Sequence, residues 1–258
     1  MYTFDLILDI SQVEPEDIFG ECEYLISYLN ANGQIISEDY QLIARENELR
    51  IPVTCPEENS LNPRYYHKFI PGYFDKLHRI TGKPVEIRPT GRALDFIYYE
   101  APEEVTSYIL YGESWTPIRC GDSCVAVPLY RLPFLEPAYN SYQPLNSWHS
   151  AYQTLQSLWT VYDAGEAYAL AQMQEIDSPL TRQGLELRRQ IEELTGMPTY
   201  YFLENRREWH ESEEPGWKCP LTGKDWFIPG STFNDFIGFR SEEARLVSGR
   251  SSLAKRDG

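Results

Sequence analysis

Residues 216–227 have the sequence GWKCPLTGKDWF, and residues 237–252 have the sequence IGFRSEEARLVSGRSS. Each segment contains two positions, separated by two residues, at which a zinc ribbon carries a pair of cysteines. These four ligand positions fall at Cys219, Thr222, Ser241 and Ala244. The stretch between the two pairs, residues 223–240, is 18 residues long, which fits a C-x2-C…C-x2-C ribbon. The pattern predicts a small β-ribbon at the end of the chain.

Three of the four ligand positions in this ribbon have lost their cysteine. Tetrahedral zinc needs four thiolate, imidazole or carboxylate ligands, or three and a water molecule, so Cys219 alone cannot hold it. We therefore predict a ribbon without metal, held together by aromatic packing. The aromatic residues available for this packing are Trp217, Trp226, Phe227, Phe233, Phe236 and Phe239. A structural zinc can contribute on the order of 10 kcal/mol to the folding free energy of a small module. Without it the ribbon needs another source of stability, so we expect it to dock on a strand at residues 199–203.

A metal site could still be assembled from other parts of the chain. Cys120 and Cys124 have an acceptable ligand spacing, and Cys219 and His210 could join them if the fold brought the two regions together. The alternative is that these cysteines are small buried apolar residues, which is common for free cysteine. We expect no metal.

The first hundred residues predict a ferredoxin-like β-α-β-β-α-β half. Alternating apolar residues over residues 2–10 indicate a half-buried strand, and helical spacing follows from residue 18 to residue 29. Two strands are predicted at residues 41–45 and 48–53, a second helix around residues 74–80, and further strands near residues 85–88 and 94–99.

The middle of the chain predicts helices. Aromatic and apolar residues recur every three or four positions, which predicts one long central helix over residues 144–174 with an aromatic face. Ser178-Pro179 begins a second helix, and a strand follows at residues 199–203. The predicted fold class is α+β. We divide the chain into an N-terminal domain (1–135), a helical segment with its following strand (136–215) and the ribbon remnant with a basic tail (216–258).

Five short segments occur in an order typical of a known family. They are RCGD (119–122), VPLYR (127–131), TGMPTYY (195–201), CP (219–220) and RLVS (245–248). Over residues 115–252 the chain resembles an uncharacterised bacterial family of zinc-ribbon-containing, nucleic-acid-binding proteins. The resemblance implies two cysteine pairs around zinc and an association with nucleic acid. The absence of three of those cysteines weakens both implications.

Charge is the strongest global property of the chain. It has 39 acidic and 23 basic residues and a net charge of -16, which opposes general affinity for phosphate backbones. Two interpretations are open: the acidity keeps the protein soluble, or it forms a docking surface for a basic partner. Five scattered cysteines, the absence of a signal-like N-terminus and the absence of a long apolar run favour the cytoplasm, with no membrane association.

No catalytic motif accompanies the four histidines or the adjacent glutamates. The sequence has no G-x-S-x-G, H-E-x-x-H or P-loop motif, and glutamate pairs such as Glu103-Glu104 are typical of solvated loops. We therefore predict a protein that is not an enzyme and that needs no cofactor.

Our leading hypothesis is a protein that binds a basic partner, such as an immunity or antitoxin-like protein that covers a nuclease toxin. The residues predicted to contact this partner are Glu208, Trp209, Glu211, Glu213 and Glu214. The alternative is a nucleic-acid-associated protein that uses the basic C-terminal segment. The residues predicted for that role are Arg240, Arg245, Arg250, Lys255 and Arg256. A purely structural subunit is the third hypothesis.

Overall fold

The computed structural model describes residues 1–36, 40–94, 100–138, 141–161, 165–230 and 236–251. Within these ranges the protein is α+β, as predicted, with two sheets and five α-helices. The chain divides into two compact units. The first comprises residues 1–101 and 125–143, and the second comprises residues 102–124 and 144–258.

The first unit is built from four strands and two helices. In chain order these are β1 (Tyr2–Asp9), α1 (Phe19–Ala31), β2 (Ile43–Arg45), β3 (Glu48–Cys55), α2 (Ile70–Thr81) and β4 (Glu86–Arg92). The strands lie in the order β2-β3-β1-β4, and every neighbouring pair is antiparallel. The order of elements is thus the predicted β-α-β-β-α-β, whereas membership of the ferredoxin-like fold stays a prediction. Residues 95–99 of the further predicted strand lie outside the described ranges.

Buried and exposed side chains alternate along β3, in the sheet of the first unit. Along β3, Leu49, Ile51 and Val53 are buried while Arg50 between them is exposed, because successive side chains point to opposite faces. The turn between β2 and β3 contains Glu46 with a φ of 54°, a left-handed conformation that two-residue hairpin turns require. The buried face of the sheet shares one apolar core with α1 and α2.

The second unit contains a five-stranded sheet and three helices. Its elements are β5 (Tyr108–Leu110), β6 (Ile118–Cys120), α3 (Gln143–Thr160), α4 (Glu166–Gln174), α5 (Pro179–Thr195), β7 (Thr199–Phe202), β8 (Phe239–Ser241) and β9 (Leu246–Ser248). The strand order is β6-β5-β7-β9-β8. The three central strands β5, β7 and β9 are parallel, and the two edge strands are antiparallel to their neighbours. The carboxyl ends of the three central strands therefore lie along the same edge of the sheet.

The prediction of one long helix over residues 144–174 is wrong. The structure has two helices, α3 and α4, and Gly165 immediately before α4 has a φ of 93°, which lies outside the right-handed helical region. The predicted aromatic face is nevertheless present on α3, where Trp148 and Tyr152 are buried. The indole Nε1 of Trp148 donates a hydrogen bond to the carbonyl oxygen of Leu180 at the start of α5, at 3.1 Å. None of the helices in the described part of the chain is long and apolar enough to cross a membrane.

The predicted domain boundaries at residues 135 and 215 do not match the two units. The structure joins β5 and β6 from before the helices to β7, and it joins β8 and β9 from the ribbon to that same sheet. The division of the chain into two units is set by pairing between strands that are far apart in the sequence. No local sequence pattern predicts such pairing. The prediction that the ribbon docks on the strand at 199–203 is confirmed, since β9 pairs with β7 in parallel.

Candidate functional site

A polar cluster of the second unit lies where the three parallel strands end. The residues that follow the strands are Tyr111 and Glu113 after β5, Glu204 and Arg206 after β7, and Gly249 and Arg250 after β9. Side chains beyond the carboxyl ends of neighbouring parallel strands share one crevice, which is where ligands usually bind in open sheets. The topology thus brings together residues that are more than ninety positions apart in the sequence, such as Glu113 and Arg206.

Helix α3 contributes Tyr152 to this cluster. The ring of Tyr152 packs directly on the backbone at Gly112, where an added Cβ atom would lie only 2.1 Å from the ring. Its hydroxyl donates a hydrogen bond to Oε2 of Glu204 at 3.1 Å. The absence of a side chain at residue 112 therefore sets the position of the hydroxyl that contacts Glu204.

One arginine holds two carboxylates at the centre of the cluster. Nε of Arg206 lies 2.8 Å from Oε1 of Glu204, and its Nη2 lies 3.4 Å from Oε1 of Glu113. The hydroxyl of Tyr111 donates to the other oxygen of Glu113 at 2.8 Å. Tyr152 does the same for Oε2 of Glu204, whereas Nε of Arg206 lies within ion-pair distance of Oε1 without the geometry of a hydrogen bond. Buried charges are stable only in such paired and hydrogen-bonded arrangements.

Burial changes the acid–base properties of the cluster. The pKa of Glu204 is raised, mainly because burial disfavours the charged carboxylate; Arg206 opposes this effect and Glu113 adds to it. Burial also raises the pKa of the Tyr152 and Tyr111 hydroxyls, so both remain protonated donors. Glu204 is a buried carboxyl that can hold a proton closer to neutral pH than an exposed glutamate does.

A small cavity of about 140 Å³ adjoins this cluster. Its apolar walls are aromatic: the rings of Phe202 and Phe236 stack with centroids 5.2 Å apart, and Tyr111 meets both edge-on at 4.9 and 5.1 Å. The amide of Asn205 donates to the carbonyl oxygen of Gly249 at 3.1 Å and joins the ends of β7 and β9. Arg250 also lines the cavity.

A tight turn lies at each of the two segments where the sequence suggested a zinc knuckle. In the first, the N–H of Gly223 donates to the carbonyl oxygen of Cys219 at 2.8 Å, and Gly223 has a φ of 69°. In the second, Oγ of Ser241 accepts a hydrogen bond from the N–H of Ala244 at 3.2 Å, and the following Arg245 has a φ of 50°. Both turns thus place a left-handed residue directly after the second ligand position, and a serine hydroxyl caps the second turn.

Packing and an ion pair connect the two halves of the C-terminal ribbon. Of the aromatic residues predicted to hold it, three pack around a fourth, Phe239: the ring centroids of Trp217, Trp226 and Phe227 lie 4.9, 5.3 and 5.4 Å from that of Phe239. At the exposed tip, Nζ of Lys224 lies 2.5 Å from Oε2 of Glu243.

Two of the aromatic residues predicted to hold the ribbon are not among these contacts. Phe236 packs against Tyr111 and Phe202 instead. Phe233 lies outside the described ranges.

The cysteines and histidines do not assemble a metal centre in the described ranges, where no group of three or more His, Cys, Asp or Glu side chains could hold a metal ion. Cys120 and Cys219 are buried. Burial raises the pKa of Cys124 to about 11, which disfavours the thiolate that zinc binds. The side chain of His210 accepts a hydrogen bond from the backbone of a capping box.

The predicted partner-binding residues do not share one environment. Glu214 is only 1% exposed and accepts a hydrogen bond from the N–H of Ser251 at 2.9 Å, so its prediction as a contact residue is wrong. Glu208, Glu211 and Glu213 are exposed. Trp209 is half-buried and packs edge-on against Trp217, which leaves part of its ring at the surface beside the acidic loop.

The predicted nucleic-acid-binding arginines are largely engaged within the protein. Arg240 pairs with Glu242 at 2.6 Å, and Arg245 pairs with Glu192 at 3.2 Å and with Glu242 at 3.1 Å. Such pairing removes the positive potential that phosphate recognition needs. Arg250 lines the cavity of the second unit. Lys255 and Arg256 lie outside the described residues.

Sequence reasoning missed the cluster at the strand ends. Its central members are Glu113, Tyr152, Glu204 and Arg206. One usable signal was present, because each of the three parallel strands is followed within three residues by a charged side chain. That signal becomes specific only once the pairing of β5, β7 and β9 is known.

The fold and the site define a two-unit α+β protein with a partly buried carboxylate–arginine cluster. An uncharacterized protein of Haemophilus influenzae is 30% identical over 141 residues, which cover 55% of this chain and 68% of that relative. The chain belongs to the family of that protein. A second uncharacterized Haemophilus influenzae protein is 27% identical over 226 residues, which cover 84% of this chain and 85% of the relative.

Two family models match separate parts of the chain. A domain of unknown function, DUF8589, matches residues 1–90, and another domain of unknown function, DUF2310, matches residues 100–204. The second match includes Glu113, Tyr152 and Glu204, whereas the ribbon lies beyond both matched ranges. No solved structure matches the chain.

Proposed function

We propose that this protein is a cytoplasmic binding protein that captures a basic protein partner, in the manner of an immunity protein or antitoxin that covers a nuclease-like toxin. Its activity in this proposal is binding without catalysis. The partner is recognised by charge: it carries a positive surface of the kind that would otherwise face nucleic-acid phosphates.

The observation that supports the proposal is the imbalance of exposed charge. The chain carries a net charge of -16, and Arg240, Arg245 and Lys224 already pair with carboxylates. By contrast, Glu208 and Glu211 are exposed and have no cation partner among the residues that the structure describes. The surplus is therefore negative at the acidic loop, residues 208–213. Complementary surface charge accelerates capture of an oppositely charged partner.

Trp209 supplies the second element of such a surface. Its ring contacts Trp217 at 5.6 Å and is half-buried, so it is positioned by the ribbon and still partly exposed. Aromatic anchors surrounded by charged residues are typical of protein interfaces. A partly exposed tryptophan next to unpaired carboxylates suits a partner rich in arginine, since guanidinium groups bind both.

The test is affinity purification of the tagged protein from its own cells, with a charge-neutral loop variant and a matched control. The loop variant is Glu208→Gln with Glu211→Gln and Glu213→Gln. The control neutralises three exposed acids elsewhere: Glu103, Glu104 and Glu175. We expect a stoichiometric basic protein with the wild type and the control, and at least about tenfold weaker binding with the loop variant.

Salt dependence distinguishes charge recognition from other binding. Raising the salt from about 0.1 M to about 1 M shortens the Debye length from about 10 Å to about 3 Å and should weaken the complex steeply. An acidic partner, binding that ignores salt, or equal binding by the loop variant contradicts the proposal. Co-purified nucleic acid whose retention is lost on Arg240→Gln and Arg245→Gln would favour the nucleic-acid alternative instead.

A further inference from the structure

The cavity at the strand ends has a chemical character that the proposed partner binding does not use. It lies beyond the carboxyl ends of β5, β7 and β9, and its volume of about 140 Å³ is close to that of engineered cavities that bind benzene, about 150 Å³. Three aromatic rings, those of Tyr111, Phe202 and Phe236, form its apolar side. A flat apolar group of about six carbon atoms fits this space.

The acidic side chains of the cavity are already satisfied. Both oxygens of Glu113 and both oxygens of Glu204 accept hydrogen bonds or pair with Arg206. Each of these four oxygens therefore already has a donor or the Arg206 cation beside it.

Arg250 is the cation of the cavity that has no acidic partner. Among the described residues it forms no ion pair, and its buried Nε has no hydrogen-bond acceptor. Its guanidinium carbon lies 5.3 Å from the ring centroid of Phe227, which is its one ring contact in the described chain. A guanidinium group presents its N–H donors in a fork that matches a carboxylate. The arrangement therefore lacks an anion that would pair with Arg250.

We propose that this cavity binds a small carboxylate with a flat apolar body, with the anionic group on Arg250 and the body against the aromatic rings. The site is distinct from the acidic loop at residues 208–213, and its occupancy does not depend on a protein partner. Arg119 already lies over the rings of Tyr111 and Phe236, with its guanidinium carbon 4.5 and 5.3 Å from their centroids, so these rings do not need a ligand cation. Aromatic rings beside Arg250 favour this class over inorganic anions, which make no apolar contact.

The test uses three probes of the same size and different charge: benzoate, benzyl alcohol and benzamidine. Binding to the full chain is measured by calorimetry and by the shift in thermal unfolding temperature. We expect benzoate to bind with a dissociation constant in the millimolar range or below, benzyl alcohol to bind at least about tenfold more weakly, and benzamidine to bind least. Preference for benzamidine, or no binding of benzoate, overturns the proposal.

Two arginine variants locate the binding. R250Q should weaken benzoate at least about tenfold and leave benzyl alcohol unchanged, because only the charged contact is lost. R240Q is the matched control, since Arg240 pairs with Glu242 and does not line the cavity, and it should bind benzoate as the wild type does. Unchanged benzoate affinity in R250Q overturns the proposal. If R250Q does not fold, R250M replaces it, because methionine keeps an apolar side chain of similar length without the charge, and unchanged benzoate affinity in that variant has the same meaning.

Discussion

Two groups of charged side chains in the second unit differ in how far they are exposed to water. Arg206, Glu204 and Glu113 lie at the ends of the parallel strands, and the side chain of Glu204 is only 6% exposed. Lys224 and Glu243 form their ion pair at the tip of the ribbon, where their side chains are 68% and 61% exposed. The distances between the paired nitrogen and oxygen atoms are similar in the two groups, but the first group is shielded from water and the second is exposed to it. Loss of one partner should therefore have very different consequences at the two places.

The cluster around Arg206 must remain paired, whereas the ion pair of Lys224 and Glu243 can be lost. A buried charge without its partner loses both water and its counter-ion, and breaking such a pair is strongly destabilising. An exposed ion pair contributes about 0–1 kcal/mol because water and salt screen it. The ribbon therefore depends on the aromatic contacts around Phe239, and the ion pair at its tip only adds to them.

Removing the shared cation should give the largest effect. Arg206→Met leaves Glu204 and Glu113 without their counter-charge, and we expect a loss of about 3–5 kcal/mol in the free energy of unfolding. Urea unfolding followed by circular dichroism measures it. Arg182→Met changes an exposed arginine on α5 and is the control. Equal losses in the two variants would show that the cluster does not depend on pairing.

A methyl group at residue 112 should also destabilise the cluster. In Gly112→Ala the new Cβ atom would lie 2.1 Å from the ring of Tyr152, so the ring and its hydroxyl must move away from Glu204. We expect a loss of about 1–3 kcal/mol in urea unfolding, as for other overpacked interiors. Gly72→Ala has open space around it and should lose nothing. A fully stable Gly112→Ala would contradict the described packing.

The buried carboxyl predicts a pH-dependent difference of smaller size. Because the pKa of Glu204 is raised in the folded state, its favourable contribution is fully present below the unfolded-state pKa of about 4.3 and is lost as the pH rises through the folded-state value. Glu204→Gln lacks this contribution. In thermal unfolding between about pH 4 and pH 7, the wild type should therefore lose its advantage over the variant as the pH rises.

The control for this pH series is the exposed Glu208. Glu208→Gln removes an exposed carboxylate outside the cluster and shows how much of any difference a surface substitution causes by itself. An advantage of the wild type over Glu204→Gln that grows with pH would mean that Arg206 dominates and that the folded-state pKa is lowered.

Removing the ion pair at the ribbon tip should have a small effect. Lys224→Met leaves Glu243 in water, and we expect a change of about 0–1 kcal/mol in urea unfolding. The intrinsic fluorescence of Trp217 and Trp226 reports whether the ribbon stays packed. A loss of several kcal/mol would mean that the tip holds the ribbon together in place of the aromatic contacts.

Chelation should have no effect. Cys219 is the one cysteine left in the four ligand positions, so the unfolding temperature should be the same with and without excess EDTA. Metal analysis of purified protein is the companion measurement. A lower unfolding temperature in EDTA, with one zinc ion per chain before treatment, would contradict a metal-free ribbon.

Local patterns predicted much of the fold. The strands predicted at residues 2–10, 41–45 and 48–53 are present as β1, β2 and β3, because strand periodicity and turn chemistry depend only on neighbouring residues. The docking of the ribbon on β7 could also be predicted, since a small module that is expected to lack a metal needs a larger surface to pack on. The single long helix failed at Gly165, where the periodic pattern continued across a left-handed residue.

The candidate site could not be predicted in the same way. Glu113, Glu204 and Arg250 meet only because β5, β7 and β9 lie side by side in parallel, and strand pairing over such distances leaves no periodic pattern. At the end of the acidic loop, sequence alone gave Glu213 and the next residue, Glu214, the same role. Burial separates them, since Glu214 binds the backbone of Ser251 and Glu213 is exposed.

The most direct test of the comparison is a pair of double-mutant cycles in urea unfolding, one for Arg206→Met with Glu204→Gln and one for Lys224→Met with Glu243→Gln. Each cycle isolates the coupling energy of its pair from other effects of the substitutions. We predict a coupling of about 2–3 kcal/mol for the buried pair and below about 1 kcal/mol for the exposed pair. Equal coupling energies in the two cycles would contradict the account.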